Sequence, residues 1–479
     1  ISYVQAEPRI DYDLDDDGLI EINDLQDLNE IRNNPNENNE LSGETLYASQ
    51  DGCPLGGCNG YELSTDLNFD TNDNHNFDAG DDYWNEGMGW FPIGFDASRF
   101  TSEFNGNGYT LHNLVVRRPG ASFVGLFSFS SEAHFHNFSL SADMVASNSS
   151  GGVVGISWKT RFENLNIGVV FNSDNGGLDC AVNICDAEDV GGVVGSSNQS
   201  AFNNIQVNAQ ITGINNPDVE GVLGGIAGSI YDGTVKEVAV TGSITGSSNI
   251  GGLAGYVTGS DIQSSVATTE LNGSSAVGGL IGHAGQTNIN NVLVSGNLIT
   301  GIGKNSEASG GGVIGLTGSE VSVSRAISLM NLQSDPQDQH YIGAIIGQTA
   351  SPTVNHVYWA SDLALRDKLY GTSDIANPQQ TFDLVDIQCA SDINDCNGLQ
   401  FTGFGEQTNH LQEALWDFGD NEEAPVMVLA SGTFGDKDGN GEMDGEVTDT
   451  QTKTSDSSSG LGGLFYMVLL LIPLVFRRR

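Results

Sequence analysis

A short glycine-framed motif that returns through the middle of the chain constrains its fold more than any other feature. It reads VGLF around Gly125, then GGVVG ending at Gly155 and again at Gly195. GGIAG ends at Gly228, GGLAG at Gly255, GGLIG at Gly282, GGVIG at Gly315 and GAIIG at Gly347. These glycines are 30, 40, 33, 27, 27, 33 and 32 residues apart. Nine to twelve residues after each one, a polar residue opens an alternating apolar run: NLNI from Asn164, NIQV from Asn204, EVAV from Glu237, NVLV from Asn291. The offset is nearly fixed while total length varies, so insertions are confined to one part of the unit.

Period-2 alternation between Gly, Asn and Ser predicts short strands and tight turns. A unit of about 30 residues holding two or three such strands cannot bury its own apolar face, so it must stack on copies of itself. In-register stacking at about 4.8 Å per layer gives an all-β protein, a parallel β-solenoid or β-helix of about eight repeats spanning about 40 Å. On this reading the glycines supply positive φ at corners and let one coil approach the next. Asn137, Asn164, Asn204 and Asn291 fall at equivalent places, where a partial internal amide ladder can form. A β-sandwich with glycine-rich loops is the competing architecture, and it explains the fixed offset less well.

Charge narrows the setting. The 62 acidic residues against 17 basic ones give a formal net charge of −45, which disfavours nucleic acid and anionic membrane as binding surfaces and favours cations. The six cysteines form three local pairs, Cys53 with Cys58, Cys180 with Cys185 and Cys389 with Cys396. They read as short-loop disulfides made in an oxidising compartment, each contributing only about 2 kcal/mol by chain entropy. A zinc site would need CxxC spacing or nearby histidines, and neither is present.

The ends point to export. The tail SSSGLGGLFYMVLLLIPLVFRRR carries Gly462 and Gly463, an apolar run, and Arg477, Arg478 and Arg479. An apolar helix of about 16 residues spans ~24 Å, short of the ~30 Å hydrocarbon core. The arginines would lie in the cytoplasm and the rest of the chain outside. The chain opens on Ile1 rather than Met, which suggests a signal sequence removed or left out.

The opening acidic run DYDLDDDGLIEINDL has metal-loop spacing. Counting from Asp13, loop positions 1, 3 and 5 are Asp13, Asp15 and Asp17, with Gly18 at the sharp turn and the Leu19 carbonyl at position 7. Glu21 and Asp24 fall at positions 9 and 12, and a short helix, DLQDLNEIR, follows. This is an EF-hand-like calcium loop with Asp in place of the closing Glu, similar to dockerin loops. A second loop places Asp70, Asn72, Asn74, Asn76, Asp78 and Asp81 at positions 1, 3, 5, 7, 9 and 12, but His75 stands where glycine belongs. A third offers Asp436, Asp438, Asn440, Glu442 and Asp444, with Val447 at the last position. The expected cofactor is therefore structural Ca2+.

The motifs GGVVG…NNIQV and their relatives resemble the GLUG repeat of bacterial surface proteins, some associated with IgA-specific metallopeptidases. DGLIEINDLQDLNEIR, GCPLGGCNGYELSTDLNFD, DDYWNEGMGWFPIG and FTSEFNGNGYTLHNL resemble the N-terminal leader of such proteins. VYWASDL and LWDFGDNEEAPVMVL resemble the end of the array, so the likeness covers most of residues 10 to 430. Gly462-Gly463, the apolar run and the arginines are similar to the GlyGly-CTERM sorting signal, although Leu464 departs from its commonest form. That likeness implies a membrane partner and a rhomboid-type sorting protease (rhombosortase); a plain anchor is the alternative.

Residues 1–118 are thus expected to form a cap with calcium loops and the first coils, 119–360 the repeat solenoid and 361–430 a C-terminal cap. An acidic spacer, 431–459, and a sorting or anchor segment, 460–479, would follow. HExxH, GxSxG and P-loop motifs are absent, and His134 and His136 are the one close histidine pair. The expectation is a non-enzymatic adhesin-like protein on the surface of a Gram-negative bacterium or secreted from it, whose partner is an extracellular glycan or surface protein. The alternative is a polysaccharide-active β-helix enzyme, a lyase or hydrolase.

Overall fold

The computed structural model describes residues 11–33, 38, 40–41, 52–55, 57–94, 98–118, 121–145, 148–172, 189–213, 221–301, 308–334, 341–364, 368–371, 384–388, 401, 403–418, 423–436 and 443. Cys180, Cys185, Cys389, Cys396, Asp438, Asn440, Glu442, Asp444, Gly462, Gly463 and Arg477 to Arg479 lie outside the described residues.

The repeats form a parallel β-solenoid with three faces. One coil comprises Ser149–Gly151, Val154–Trp158 and Arg161–Asn172, and the next comprises Asp189–Gly191, Val194–Asn198 and Ala201–Thr212. Equivalent strands pair in register from coil to coil, giving a narrow, a middle and a wide face. Among the described residues these sheets contain 8, 10 and 13 strands. Nearly all length variation falls at the corner between the wide and narrow faces, for example between Asn172 and Asp189 or Thr300 and Ser309; one extra residue enters between Thr317 and Ser322, at the corner between the middle and wide faces.

Between His134 and Ser334 the wide-face strands run 12 or 13 residues, longer than the four-residue alternation implied. The reason is a left-handed residue at the same place in every coil. Asn137, Asn164, Asn204, Glu237, Ser264, Asn291, Arg325 and His356 all have φ between 49° and 58°. Each kink shifts the alternation by one, so Phe162 and Leu165 both point inward and one strand reads as two fragments. Asn tolerates this conformation best among residues with a side chain. Here the amides also link the coils: Asn164 Nδ2 donates to Asn137 Oδ1 at 2.9 Å, and Asn204 Nδ2 to Asn164 Oδ1 at 2.8 Å. The expected ladder thus forms, but it is half-buried at the kink, and Asn291 belongs to a different network.

The motif glycines do something other than turn corners. None takes a positive φ. They permit contact: a Cβ on Gly192 would lie 2.2 Å from the carbonyl oxygen of Gly225 in the next coil. In the first repeat the single Gly125 faces the Gly151–Gly152 pair, and Phe127 pairs with Val154. Ser128 therefore stands at the closing position there, which corrects the alignment on Gly125. A further rung escaped the motif altogether: Tyr370 bridges Ile346, and Gly371 N donates to Gly347 O at 2.8 Å.

One core runs the length of the solenoid. Phe135, Phe162 and Phe202 stack at 5.6 and 5.1 Å, and Val235, Ile262, Ile289, Val323 and Val354 continue their row. Each fully buried side chain of this kind contributes about 1.5–3 kcal/mol.

A second apolar cluster lies outside it. On the outer side of the wide face a polar row, Ser139, Asn166 and Gln206, turns apolar at Ala239, Val266, Leu293, Ile327 and Tyr358. There it packs against Phe401, Phe404, Leu415, Trp416 and Met427. Of the segment expected to cap the array, residues 368–371 add to its end, whereas Phe401 to Phe434 lie along its flank. The segment's antiparallel sheet, Trp416–Asp417, Val426–Leu429 and Gly432–Phe434, runs past the boundary placed at 430.

Candidate calcium centre

The loop from Asp13 closes on its own backbone. Asp13, 1% exposed, accepts from the amides of Asp17 and Gly18, both at 2.9 Å. Asp15 accepts from Asp17 N at 3.3 Å, and Asp17 from Leu19 N at 2.8 Å. Left-handed Asp16 and Gly18 make the turn, at φ 63° and 92°. One carboxylate oxygen from each of Asp13, Asp15 and Asp17 lies within 4.8 Å of the others.

The carboxylate that closes the loop is not the one the spacing selected. Asp24 caps the helix Leu25–Glu30 by accepting from Asp27 N at 2.9 Å, and the helix buries Leu25 and Leu28. Glu21 closes the loop instead, taking the amide of Leu14. A further carboxylate arrives from outside: Glu62, on the strand Gly60–Leu63, pairs with Glu21, and Asp15, Glu21 and Glu62 form a second close group. Glu62 escaped the sequence reading because it is distant in the chain; its only signal was an acid within an otherwise buried strand.

The electrostatics of this group favour a cation. Burial, with repulsion from Asp17, Asp15 and Glu21, pushes the Glu62 carboxyl up to about 7, while a hydrogen bond from Asn107 opposes the rise. Glu21 and Asp17 are raised as well, in both cases chiefly by burial. An all-oxygen donor set of this charge suits a hard cation of calcium's type. The Cys53–Cys58 disulfide lies directly against the loop: Cys58 Sγ is 3.8 Å from Asp13 Oδ2, and Asn59 N donates to Gly18 O at 2.9 Å.

The second loop repeats the wiring with other side chains. Asp70 accepts from Asn74 N at 3.2 Å and His75 N at 2.8 Å, Asn72 from Asn74 N, and Asn74 from Asn76 N. His75 takes the turn at φ 62°, the conformation the sequence flagged as costly. Asp81 closes the loop through the amides of Thr71 and Asp78. Asp78, however, is already held by Asn72 Nδ2 at 3.2 Å, Asn74 Nδ2 at 2.7 Å and Gly80 N at 2.7 Å, and its carboxyl is lowered, first by the Gly80 bond. In the third loop, Asp436 is buried.

No protein-family model matches the chain. Over 70 residues, 14% of this chain, it is 36% identical to a protein of Evansella cellulosilytica provisionally described as a Gly-rich membrane protein. Over 139 residues, 28% of this chain, it is 32% identical to Halomucin of Haloquadratum walsbyi. These matches span 8% and 1% of the two relatives' lengths. A solved structure from Bacteroides ovatus, provisionally assigned as an immunoglobulin A1 protease, aligns over 71% of this chain and 84% of that one, with a TM-score of 0.35 and 13% identity.

Proposed function

We propose that this chain is a non-enzymatic, calcium-stabilised repeat protein, displayed on the surface of a Gram-negative cell or secreted from it. It binds an extracellular glycan or surface protein in the manner of an adhesin. The observation that carries the reading is the outer side of the wide face in the early coils, before the C-terminal segment covers it. There Ser139 and Asn166 form one polar row, with Gln206, which donates to Ser431 O, at the edge of the covered part, and Ser141 and Asn208 flank Gly168 in a second. Such rows offer hydrogen bonds at a fixed spacing of about 4.8 Å, suited to an extended polar ligand. Ca2+ would be held by Asp13, Asp15, Asp17 and Glu21 with Glu62, ordering the cap on which the solenoid starts. The partial likeness to a protein described as a Gly-rich membrane protein fits a surface location, and the GLUG and GlyGly-CTERM resemblances support the same placement.

The enzyme alternative would work in the cavity of about 530 Å³ between the second loop and the wide face, lined by Asp70 and Asp143 among others. Both carboxylates are engaged, Asp70 by backbone amides and Asp143 by Arg117 Nη2 at 2.7 Å, which opposes acid–base work. The test is a glycan and host-protein binding screen on the full chain, run beside a depolymerisation assay on the same glycans. Saturable binding without cleavage is expected. Cleavage that a single Asp or Glu substitution stops would replace this reading with the enzyme.

A further inference from the structure

We infer that a transition-metal ion of zinc's class binds on the outer side of the wide face, held by Glu103, His134 and His136, with Glu163 completing the set. Three neighbouring strands supply the groups: Glu103–Asn105, His134–Val145 and Arg161–Asn172. Glu103 pairs with His134 on one side, and Glu163 pairs with His136 on the other. Strand alternation puts both imidazoles on one face, where their rings stack at 4.1 Å and 15°. His136 Nε2 lies 2.7 Å from Glu103 Oε1, and His134 Nε2 lies 3.4 Å from Glu163 Oε2. One ligand atom from each of Glu103, His134 and His136 falls within 4.8 Å of the others.

The arrangement is more than a pair of surface ion pairs. His134 Nε2 is sealed from solvent yet makes no hydrogen bond. Burial, then His136 and Arg161, hold the His134 ring below its ordinary range, so it stays neutral. Arg161 Nη2 lies 3.4 Å from the other ring nitrogen, Nδ1, and would turn away in the metal-bound tautomer, which carries its proton there. Two imidazoles with a carboxylate favour a borderline metal, unlike the oxygen-only calcium loops. Zinc–ligand bonds of about 2.0–2.2 Å require the groups to draw together. The Glu103 and Glu163 side chains, each 40% exposed, can move without disturbing the sheet. Metal on His136 Nε2 leaves the proton on Nδ1, which faces the Asn137 amide at 2.8 Å. A half-turn of that amide presents its oxygen to the ring, at the cost of the bond it accepts from Asn164 Nδ2. The bound ion would cross-link a strand of the cap to two coils of the array.

The test uses the full chain, stripped by chelator and returned to excess calcium so that the acidic loops are filled. Zinc chloride is titrated by calorimetry, and Co2+ absorption reports geometry. One equivalent is expected, with a dissociation constant at or below about 1 µM, together with the visible bands of tetrahedral cobalt. In the His134→Ala/His136→Ala protein the affinity should fall at least about 100-fold and the bands should vanish, while circular dichroism and the calcium-linked melt are retained. Unchanged zinc binding in that variant, or no stoichiometric binding to the parent, overturns the inference. If the variant does not fold, imidazole NMR on the parent decides: zinc must shift two histidine Cε1 protons together, and no shift overturns it equally.

Discussion

The loops beginning at Asp13 and Asp70 share one backbone design and differ in how their charge is balanced. In both, the first aspartate takes the amides of positions 5 and 6, position 3 takes position 5, and position 5 takes position 7. The second loop closes itself, because the Asn72 and Asn74 amides donate to Asp78. The first has no such donors among its ligands and instead gathers Glu21 and Glu62 around Asp13, Asp15 and Asp17. Identical wiring thus yields one loop that is complete by hydrogen bonding and one whose charge calls for a cation.

The strongest way to break this comparison is to remove each first aspartate. Asp13→Ala should cost about 3 kcal/mol and abolish most of the calcium-linked rise in melting temperature, since it loses two amide bonds as well as a ligand. Asp70→Ala should destabilise too, yet leave the calcium-linked rise in place. Melts with and without chelator separate them, and equal loss of the calcium response in both would end the distinction.

A pH series is the next largest effect. Without metal, Glu62 protonates near 7 in the folded chain and near 4.5 when unfolded, so between those values the folded state holds the extra proton. Raising pH through this window should therefore lower the stability of chelated protein. Calcium should flatten the dependence, and its stabilising effect should shrink as pH falls from about 7.5 towards 5. Glu62→Gln should raise the melting temperature of chelated protein by about 2–4 °C and weaken calcium binding, read by calorimetry.

Asn72→Asp with Asn74→Asp sharpens the comparison from the other side. It removes the amides that hold Asp78 and should strengthen any calcium response of the second loop. An unchanged melt with and without calcium in this variant, beyond the first loop's share, would show that charge balance is not what separates the loops. The smallest effect is expected from His75→Gly, which frees a left-handed position and should stabilise by about 0.5 kcal/mol in a denaturant titration.

Much of this architecture was legible because stacking writes itself into sequence as a period. The glycine motif gave the coils, and the constant offset located the variable corner. The loop spacing picked out Asp13, Asp15 and Asp17, whose carboxylates lie together, and the left-handed Gly18. What stayed hidden depends on neighbours distant in the chain. Glu62 meets the first loop through strand pairing, and His134 meets Glu103 in the same way. Asp24 misled because a helix cap and a loop's last ligand ask for the same residue. The flank position of the C-terminal segment left a trace in the change from NLNI to NVLV, where Asn166 becomes Leu293, but a lone outward leucine does not say what covers it.

That flank contact has a consequence for how the protein can evolve. Repeat arrays usually change length by gaining or losing whole units. Here one segment grips separate coils at fixed intervals: Ser431 at Gln206, His410 at Glu237 and Gln407 at Asn291. Deleting a coil between them would put these fastenings out of step, whereas coils before Gln206 are under no such rule. The segment acts as a measuring rod, and shuffling of repeats is expected to be tolerated only at the cap-proximal end.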